Sequence, residues 1–498
     1  MAGRETCPLQ WQLSIKKAAL GRLFVRSQVF VNNVFKISCK KAKEMICYIR
    51  TIPTLHTERE ILMKIKTLNK SYDEVMAIQP PKHFKPMKTN IFWQTLTNVL
   101  SRVMLLSSQF TSKEVGMEKL GKDEPALILM NHSAFADFEI AYSMLYPRKF
   151  NTVAAFETFM GLGWIMKPIG IFPTRKYISD PQLIRDIKHC LVKNKSSVLM
   201  FPEAVYSLDG SLVTLPTSLP KLIKLLGVPL CVLQTRGVYL SNPAYGFVKP
   251  RKVPMQGELR YVLSPEEIKQ MSVAEIEEVL YREFSYDDFR YQKDNNIIID
   301  EPFRADGLHT ILYKCPHCQK EGKMEGSGIH LTCTACGKKW ELTEQGYLKA
   351  LEGETYFDHI PDWYKWEREC VRKEILDGNY GFDIPCDITM IVDTKALYKV
   401  GSGRLSHNME DGFHLTGCDG KLDYHQSSDA LYTCEAIPYF YQIDDVLGLG
   451  DSRALYFAFP TEQKEVVVKA KLATEEIFKI LAQQRQAKKL EKKTQTEA

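Results

Sequence analysis

Over about 150 residues, short apolar runs alternate with helical patterns, and this alternation narrows the possible folds more than any other feature of the chain. Ala126–Met130, Thr152–Ala155, Ser197–Phe201 and Pro229–Leu233 have the length and character of buried strands. Pro181–Val192 and Ser218–Leu226 carry helical spacing between them. Strands that are apolar on both faces need helices on both faces, so the pattern predicts an α/β domain with a mainly parallel sheet flanked by helices. A strand at Glu258–Leu263 and a helix over Pro265–Arg282, capped by Ser264, close this domain, which we bound at 87–300.

The chain has 498 residues, 45% hydrophobic and 25% charged, enough for two to four cored domains and unlike a disordered tail. Its net charge of +6 is unevenly spread: residues 1–90 hold 17 Lys/Arg against 6 Asp/Glu. From Trp11 to Lys70 the residues read as helix, with Leu20, Phe24, Val31 and Phe35 on one face and Arg22, Arg26, Asn33, Lys36 and Lys40 on another. We take 1–86 as a basic helical region ending in the proline-bearing linker Gln79–Pro86. Charge alone leaves three faces open to it: nucleic acid, an anionic lipid surface, or an acidic surface of the same molecule.

The most apolar stretches, Leu20–Ile37 and Ile91–Leu106, are interrupted by Arg22, Arg26 and Lys36 and by Gln94, Asn98 and Arg102, which argues against an ordinary spanning helix. With no short apolar core leading to a small-residue cleavage site, a cytoplasmic location is expected. The 13 cysteines form no disulfide-like lattice, which agrees with it.

Where Ala126–Met130 hands over to a helix, the chain reads Asn131-His132-Ser133-Ala134-Phe135-Ala136-Asp137. An aspartate about one turn on from a histidine can hold one ring nitrogen, fix the tautomer and stabilise the imidazolium while the other nitrogen accepts a proton. A helix-capping role for Asp137 or Ser133 is the plainer alternative. Three more blocks follow in order: Ala155-Phe156-Glu157 through Gly163-Trp164 to Gly170-Ile171-Phe172-Pro173-Thr174-Arg175, then Phe201-Pro202-Glu203, then Gly227-Val228-Pro229-Leu230.

In these four ordered blocks the sequence resembles the glycerolipid acyltransferase family, represented by 1-acylglycerol-3-phosphate acyltransferases. The resemblance implies that family's α/β fold and an enzyme that moves a fatty acyl group from acyl-CoA or acyl-carrier protein to the hydroxyl of a lysophospholipid or glycerol-phosphate-type acceptor. His132 would be the general base and Asp137 its orienter. Arg175 would approach the acceptor phosphate with Lys176 adding a point charge, and Pro202 and Glu203 would belong to the part that holds the acceptor's glycerol. One departure stands out: the family's third block usually continues Gly-Thr-Arg-Ser, whereas Ala204-Val205-Tyr206-Ser207 follows here, so a second phosphate-seeking arginine is missing. A catalytically silent lipid- or protein-binding scaffold is the alternative, although both His132 and Asp137 are present.

Cys315-Pro-His-Cys318 and Cys333-Thr-Ala-Cys336 form two knuckles, each able to present two thiolates to one ion. Four cysteine ligands leave no open position, so a structural zinc ribbon is expected over 311–345, with His317 and His330 as exposed loop residues. Such ribbons and a basic N-terminus also suit nucleic acid, but no RNA-binding or helix-turn-helix pattern supports that, and no nucleic acid partner is expected.

A helix at Asp362–Leu376 leads into strands at Met390–Val392, Gly412–Thr416, Leu431–Ile437, Ala454–Phe459 and Val466–Val468, then a helix at Thr474–Gln484. In element order this β-rich region, 362–484 with its linker helix, resembles pleckstrin-homology-like barrels. Residues 485–498 read as a disordered basic tail. The expected partners are thus an acyl donor, a lysophospholipid acceptor and an anionic membrane surface to which the protein attaches peripherally. Oligomeric state is left open.

Overall fold

The computed structural model describes residues 65–176, 180–247 and 249–497. The α/β domain is a seven-stranded sheet of β2 (Thr111–Val115), β3 (Leu127–Met130), β4 (Phe150–Ala155), β5 (Ile171–Thr174), β6 (Ser197–Met200), β7 (Leu230–Arg236) and β8 (Gln256–Leu263), in the order β2-β8-β7-β3-β6-β4-β5. Only β7 and β8 pair antiparallel; the other neighbours are parallel. The expected mainly parallel sheet is therefore what these residues form.

Central β3 shows why its four residues are all apolar. Leu127 and Leu129 face one core with Val232, Ile223 and Phe284, while Ile128 and Met130 face another with Ile140, Tyr142 and Leu233. A polar side chain on either face would be stranded away from water. The expected helix over Pro265–Arg282 is two helices, Pro265–Gln270 and Val273–Glu283, because each has its own Ser-x-x-Glu capping box, Ser264/Glu267 and Ser272/Glu275.

The cysteine module is an antiparallel sheet of β9 (Met324–Ser327), β10 (His330–Cys333), β11 (Lys339–Leu342) and β12 (Leu348–Ala350), so it runs beyond residue 345. Buried Trp340 meets Trp363 edge to face at 5.0 Å, joining the module to helix Ile360–Leu376. The same apolar core reaches Tyr239 and Phe289 of the α/β domain.

The C-terminal region is an antiparallel sheet of β13 (Gly381–Ile391), β14 (Leu397–Asn408), β15 (Gly412–Gly417), β16 (Leu422–Gln426), β17 (Glu435–Phe440), β18 (Asp444–Gly450) and β19 (Leu455–Pro460), in the order β16-β15-β14-β13-β19-β18-β17. Helix Val466–Glu497 follows. Three expectations change here. The helix from Trp11 to Lys70 lies outside the described residues up to position 64, and where it enters them it gives way to β1 (Thr67–Asn69), which pairs in parallel with Leu397–Lys399 of β14. Val466–Val468 opens the last helix instead of forming a strand, because the three valines are buried on one side by the β sheet and on the other by the main core. Packing here overrides β propensity. The helix also continues through Glu497 where a disordered tail is expected, since residues 466–497 contain neither Gly nor Pro and are rich in Ala, Lys, Glu and Gln.

Glu475 of this helix binds the pieces together. Its fully buried carboxylate accepts from Lys471 Nζ at 2.8 Å, Thr433 Oγ1 at 2.7 Å and Thr214 Oγ1 at 3.1 Å, and pairs with Arg368 at 2.7 Å. Burial would raise its pKa, but Lys471 and then Arg368 outweigh burial and hold the carboxyl well below 4.5. A carboxyl depressed on folding stabilises above its unfolded pKa, and that stability is lost as pH falls toward the folded value. Glu475→Gln, which leaves two buried cations short of a partner, should cost about 3–5 kcal/mol in urea unfolding at pH 7 and flatten the loss of stability below pH 4.5.

Candidate functional site

Strands β3 to β7 run parallel, and the polar residues of interest all cluster past or at their carboxyl ends, where such sheets open a crevice. His132 and Asp137 follow β3, Glu157 follows β4, Arg175 and Lys176 follow β5, Glu203 and Tyr206 follow β6, and Thr235 ends β7.

Asn131 fixes the turn out of β3. Its amide donates to the Thr235 carbonyl at 3.1 Å and accepts from Thr235 N at 2.7 Å, stitching β3 to β7. Asp137, fully buried, accepts on Oδ2 from Ser133 N at 2.6 Å and Ala134 N at 3.1 Å, meets His132 Nδ1 at 3.2 Å, and accepts on Oδ1 from Thr235 Oγ1 at 2.8 Å. The one carboxylate thus braces the Ser133–Ala134 turn and meets the imidazole, while the helix that follows has no side-chain cap. With Nδ1 engaged, Nε2 is the nitrogen left for substrate. The His132 side chain remains 23% exposed, between Phe201 at 4.1 Å and Tyr206 at 4.3 Å, ring centre to ring centre. Burial, opposed by Asp137 and reinforced by the Lys176 charge, pushes the imidazole pKa below 6.5, which favours the neutral ring that can take a proton.

Glu203 differs from the expectation that it faces an acceptor. It is fully buried and accepts from His132 N at 2.7 Å, Tyr286 Oη at 3.2 Å and Val213 N at 3.5 Å, bracing the backbone under the histidine. Burial pushes its pKa up to about 8 against the pull of those donors. Pro202 is buried beside it. Ala204 takes a left-handed φ of 59°, a conformation that glycine adopts without strain, and Tyr206 lies over the histidine in the position where the resembling family has arginine.

Arg175 and Lys176 are brought together but used differently. The Arg175 guanidinium stacks over Phe156 at 4.7 Å and donates to the Asp451 carbonyl at 3.4 Å. Lys176 is buried between Glu157 Oε1 at 3.0 Å and Glu435 Oε1 at 2.7 Å. Burial alone would lower its pKa, but the two carboxylates more than reverse that and hold the ammonium charged. It is thus not the free point charge expected from sequence. Glu435 and Asp451 come from the C-terminal sheet, and no motif pointed to them. Thr235 stands in a Gln-Thr-Arg-Gly run, and nothing in that run links it to Asp137.

The four cysteines converge, with Cys315 and Cys336 sulfurs 3.8 Å apart and Cys318 and Cys333 sulfurs 3.7 Å apart. A tetrahedron with metal–sulfur bonds of about 2.3 Å has edges of about 3.8 Å, so these side chains fit one zinc ion without rearrangement. The described residues also include a more exposed group, His414, Asp423 and His425, on β15 and β16.

Comparison with known proteins finds likeness over part of the chain. The model of the acyltransferase family matches residues 112–233, from β2 into β7, a span that holds His132, Asp137, Arg175 and Glu203. Residues 112–233 are thus similar to the acyltransferase family over about a quarter of the chain. A 101-residue stretch, 20% of the chain, is 34% identical to a chloroplastic 1-acyl-sn-glycerol-3-phosphate acyltransferase of Brassica napus; the match spans 29% of that protein's length. The crystal structure of PlsC, the 1-acyl-sn-glycerophosphate acyltransferase of Thermotoga maritima, aligns with a TM-score of 0.31 at 17% identity, covering 38% of this chain and 78% of that one.

The strained turn behind the site gives a direct check. Ala204→Gly should raise stability by about 1 kcal/mol in urea unfolding, by relieving the left-handed alanine.

Proposed function

We propose that the protein transfers a fatty acyl group from the thioester of acyl-CoA or acyl-carrier protein to the hydroxyl of a lysophospholipid or glycerol-phosphate-type acceptor. The observation that carries this reading is the His132–Asp137 pair at the mouth of the parallel sheet, with its imidazole kept neutral and one nitrogen open. His132 Nε2 removes the acceptor's hydroxyl proton as the oxygen bonds to the thioester carbonyl carbon. The tetrahedral intermediate then collapses, the C–S bond breaks, and the proton passes from the imidazolium to the departing thiolate. Asp137 stabilises the cation in between.

The backbone N–H groups of His132, Ser133 and Ala134 are taken by Glu203 and Asp137 and leave none of the three free for the oxyanion. The Ser133 hydroxyl, buried and without a partner next to His132, is the donor we assign. Arg175 faces the acceptor phosphate, and Pro202 and Glu203 act through the backbone of His132.

Attachment to a membrane surface is supported by helix Ile91–Leu105, which is turned inside out: Gln94, Asn98 and Ser101 are buried while Ile91, Val99, Leu100 and Val103 are exposed, with Leu106 just beyond. An apolar stripe facing outward suits the headgroup boundary of a bilayer. No helix among the described residues is long and apolar enough to cross a membrane. The C-terminal sheet we read as pleckstrin-homology-like on its strand order and closing helix. The four cysteines we assign to a structural zinc ion.

Offered acyl-CoA or acyl-carrier-protein donors and a panel of lysolipids, the wild-type protein should transfer acyl groups, and His132→Ala should lose about 100- to 10,000-fold in kcat. The wild-type kcat/KM should rise with pH through an apparent pKa below 6.5, because the base is the neutral ring. Absence of transfer from both donors to every acceptor would favour the scaffold reading, which the aromatic replacement at Tyr206 makes specific. For the metal, the protein should contain one zinc per chain, and Cys333→Ser should lower that content and cost at least about 3 kcal/mol in thermal unfolding.

A further inference from the structure

The ion-pair cluster at Lys176 has a surplus of negative charge. Lys176 meets Glu157 and Glu435 at once, and all three side chains are at most 15% exposed. The second oxygen of Glu157 is buried without a hydrogen-bond partner, so the cluster has a carboxylate acceptor to spare. The Lys176 charge opposes protonation of His132, which places the cluster within electrostatic range of the imidazole.

We infer that the C-terminal sheet supplies a specificity-determining residue, Glu435, which cancels Lys176 and makes the site select lysophospholipids whose phosphate is a diester over those with a free phosphomonoester. The inference rests on the acyl-transfer reading above and names its acceptor class. A phosphomonoester carries about −1.5 to −2 charge at pH 7 and would have to approach two buried carboxylates with Arg175 alone to meet it. A phosphodiester carries a single negative charge, which one guanidinium fork matches. Tyr206 adds to the same choice at His132, with a ring of no formal charge at 4.3 Å from the imidazole.

The test is acyl transfer by the full-length protein to lysophosphatidylcholine and lysophosphatidic acid of the same chain length. The wild type should favour lysophosphatidylcholine by about tenfold or more in kcat/KM, and Glu435→Gln should shrink that ratio about tenfold through the KM for lysophosphatidic acid. Tyr206→Arg, on an exposed side chain, should shift the ratio the same way and serves if the buried substitution does not fold. A wild-type preference for lysophosphatidic acid, or a ratio unmoved in both variants, overturns the inference. Should no acceptor be acylated, the acyl-transfer reading fails, and equilibrium binding of the two soluble short-chain lysolipids decides the headgroup preference by itself: tighter binding of lysophosphatidic acid overturns it, and tighter binding of lysophosphatidylcholine upholds it.

Discussion

A buried carboxylate has to be met by donors or it unfolds what surrounds it, and the one at Glu475 is met from four parts of the chain. Thr214 belongs to the α/β domain, Arg368 to the helix after the cysteine module, Thr433 to the C-terminal sheet and Lys471 to the terminal helix itself. No one of these parts can drift without stranding a charge in a dry interior, where the penalty is several kcal/mol. The relative placement of the sheet and the α/β domain is therefore fixed chemically as well as by apolar packing. That fixed placement is what lets residues as distant as Glu435 and Asp451 reach Lys176 and Arg175.

Within the α/β domain the polar groups are arranged in two tiers. Asn131, Asp137, Glu203 and Thr235 are buried and spend their hydrogen bonds on the backbone around His132 or on one another. His132, Tyr206 and Arg175 keep some exposure. A rigid lower tier limits the imidazole to one tautomer and one orientation, which any role as a base requires. Glu203 illustrates the division: the carboxyl that the family resemblance places at an acceptor is spent on the backbone N–H of His132.

Much of this was legible in the sequence where a signal was local. The four apolar strand runs and the His132–Asp137 spacing carry their own geometry, because strand burial and a single helical turn are short-range facts. The Cys-x-x-Cys pairs do so as well. What escaped is long-range. Glu435 approaches Lys176 only through the docking of a second sheet, and Val466–Val468, strand-like by composition, is helical because two cores meet on it. Short strands such as Leu422–Gln426 and Asp444–Gly450 were missed because Asp, Gly and His dilute their apolar pattern. Ser264 and Ser272 show a different failure: both capping boxes were present in the sequence, and reading one helix through them ignored the second start signal.

The pairing of Thr67–Asn69 with Leu397–Lys399 has a consequence for how the chain is made. At about 5–20 residues per second of synthesis, β1 leaves the ribosome on the order of tens of seconds before the strand it pairs with exists. Asp73, which pairs with Lys421, and the carbonyls of Met76 and Ile78, which Arg453 caps, wait longer still. Meanwhile the α/β sheet and the cysteine module, whose contacts lie between those two segments, can complete themselves. The early segment thus cannot dock until the α/β sheet and the cysteine module have been made, and the helix that carries Glu475 still follows it off the ribosome.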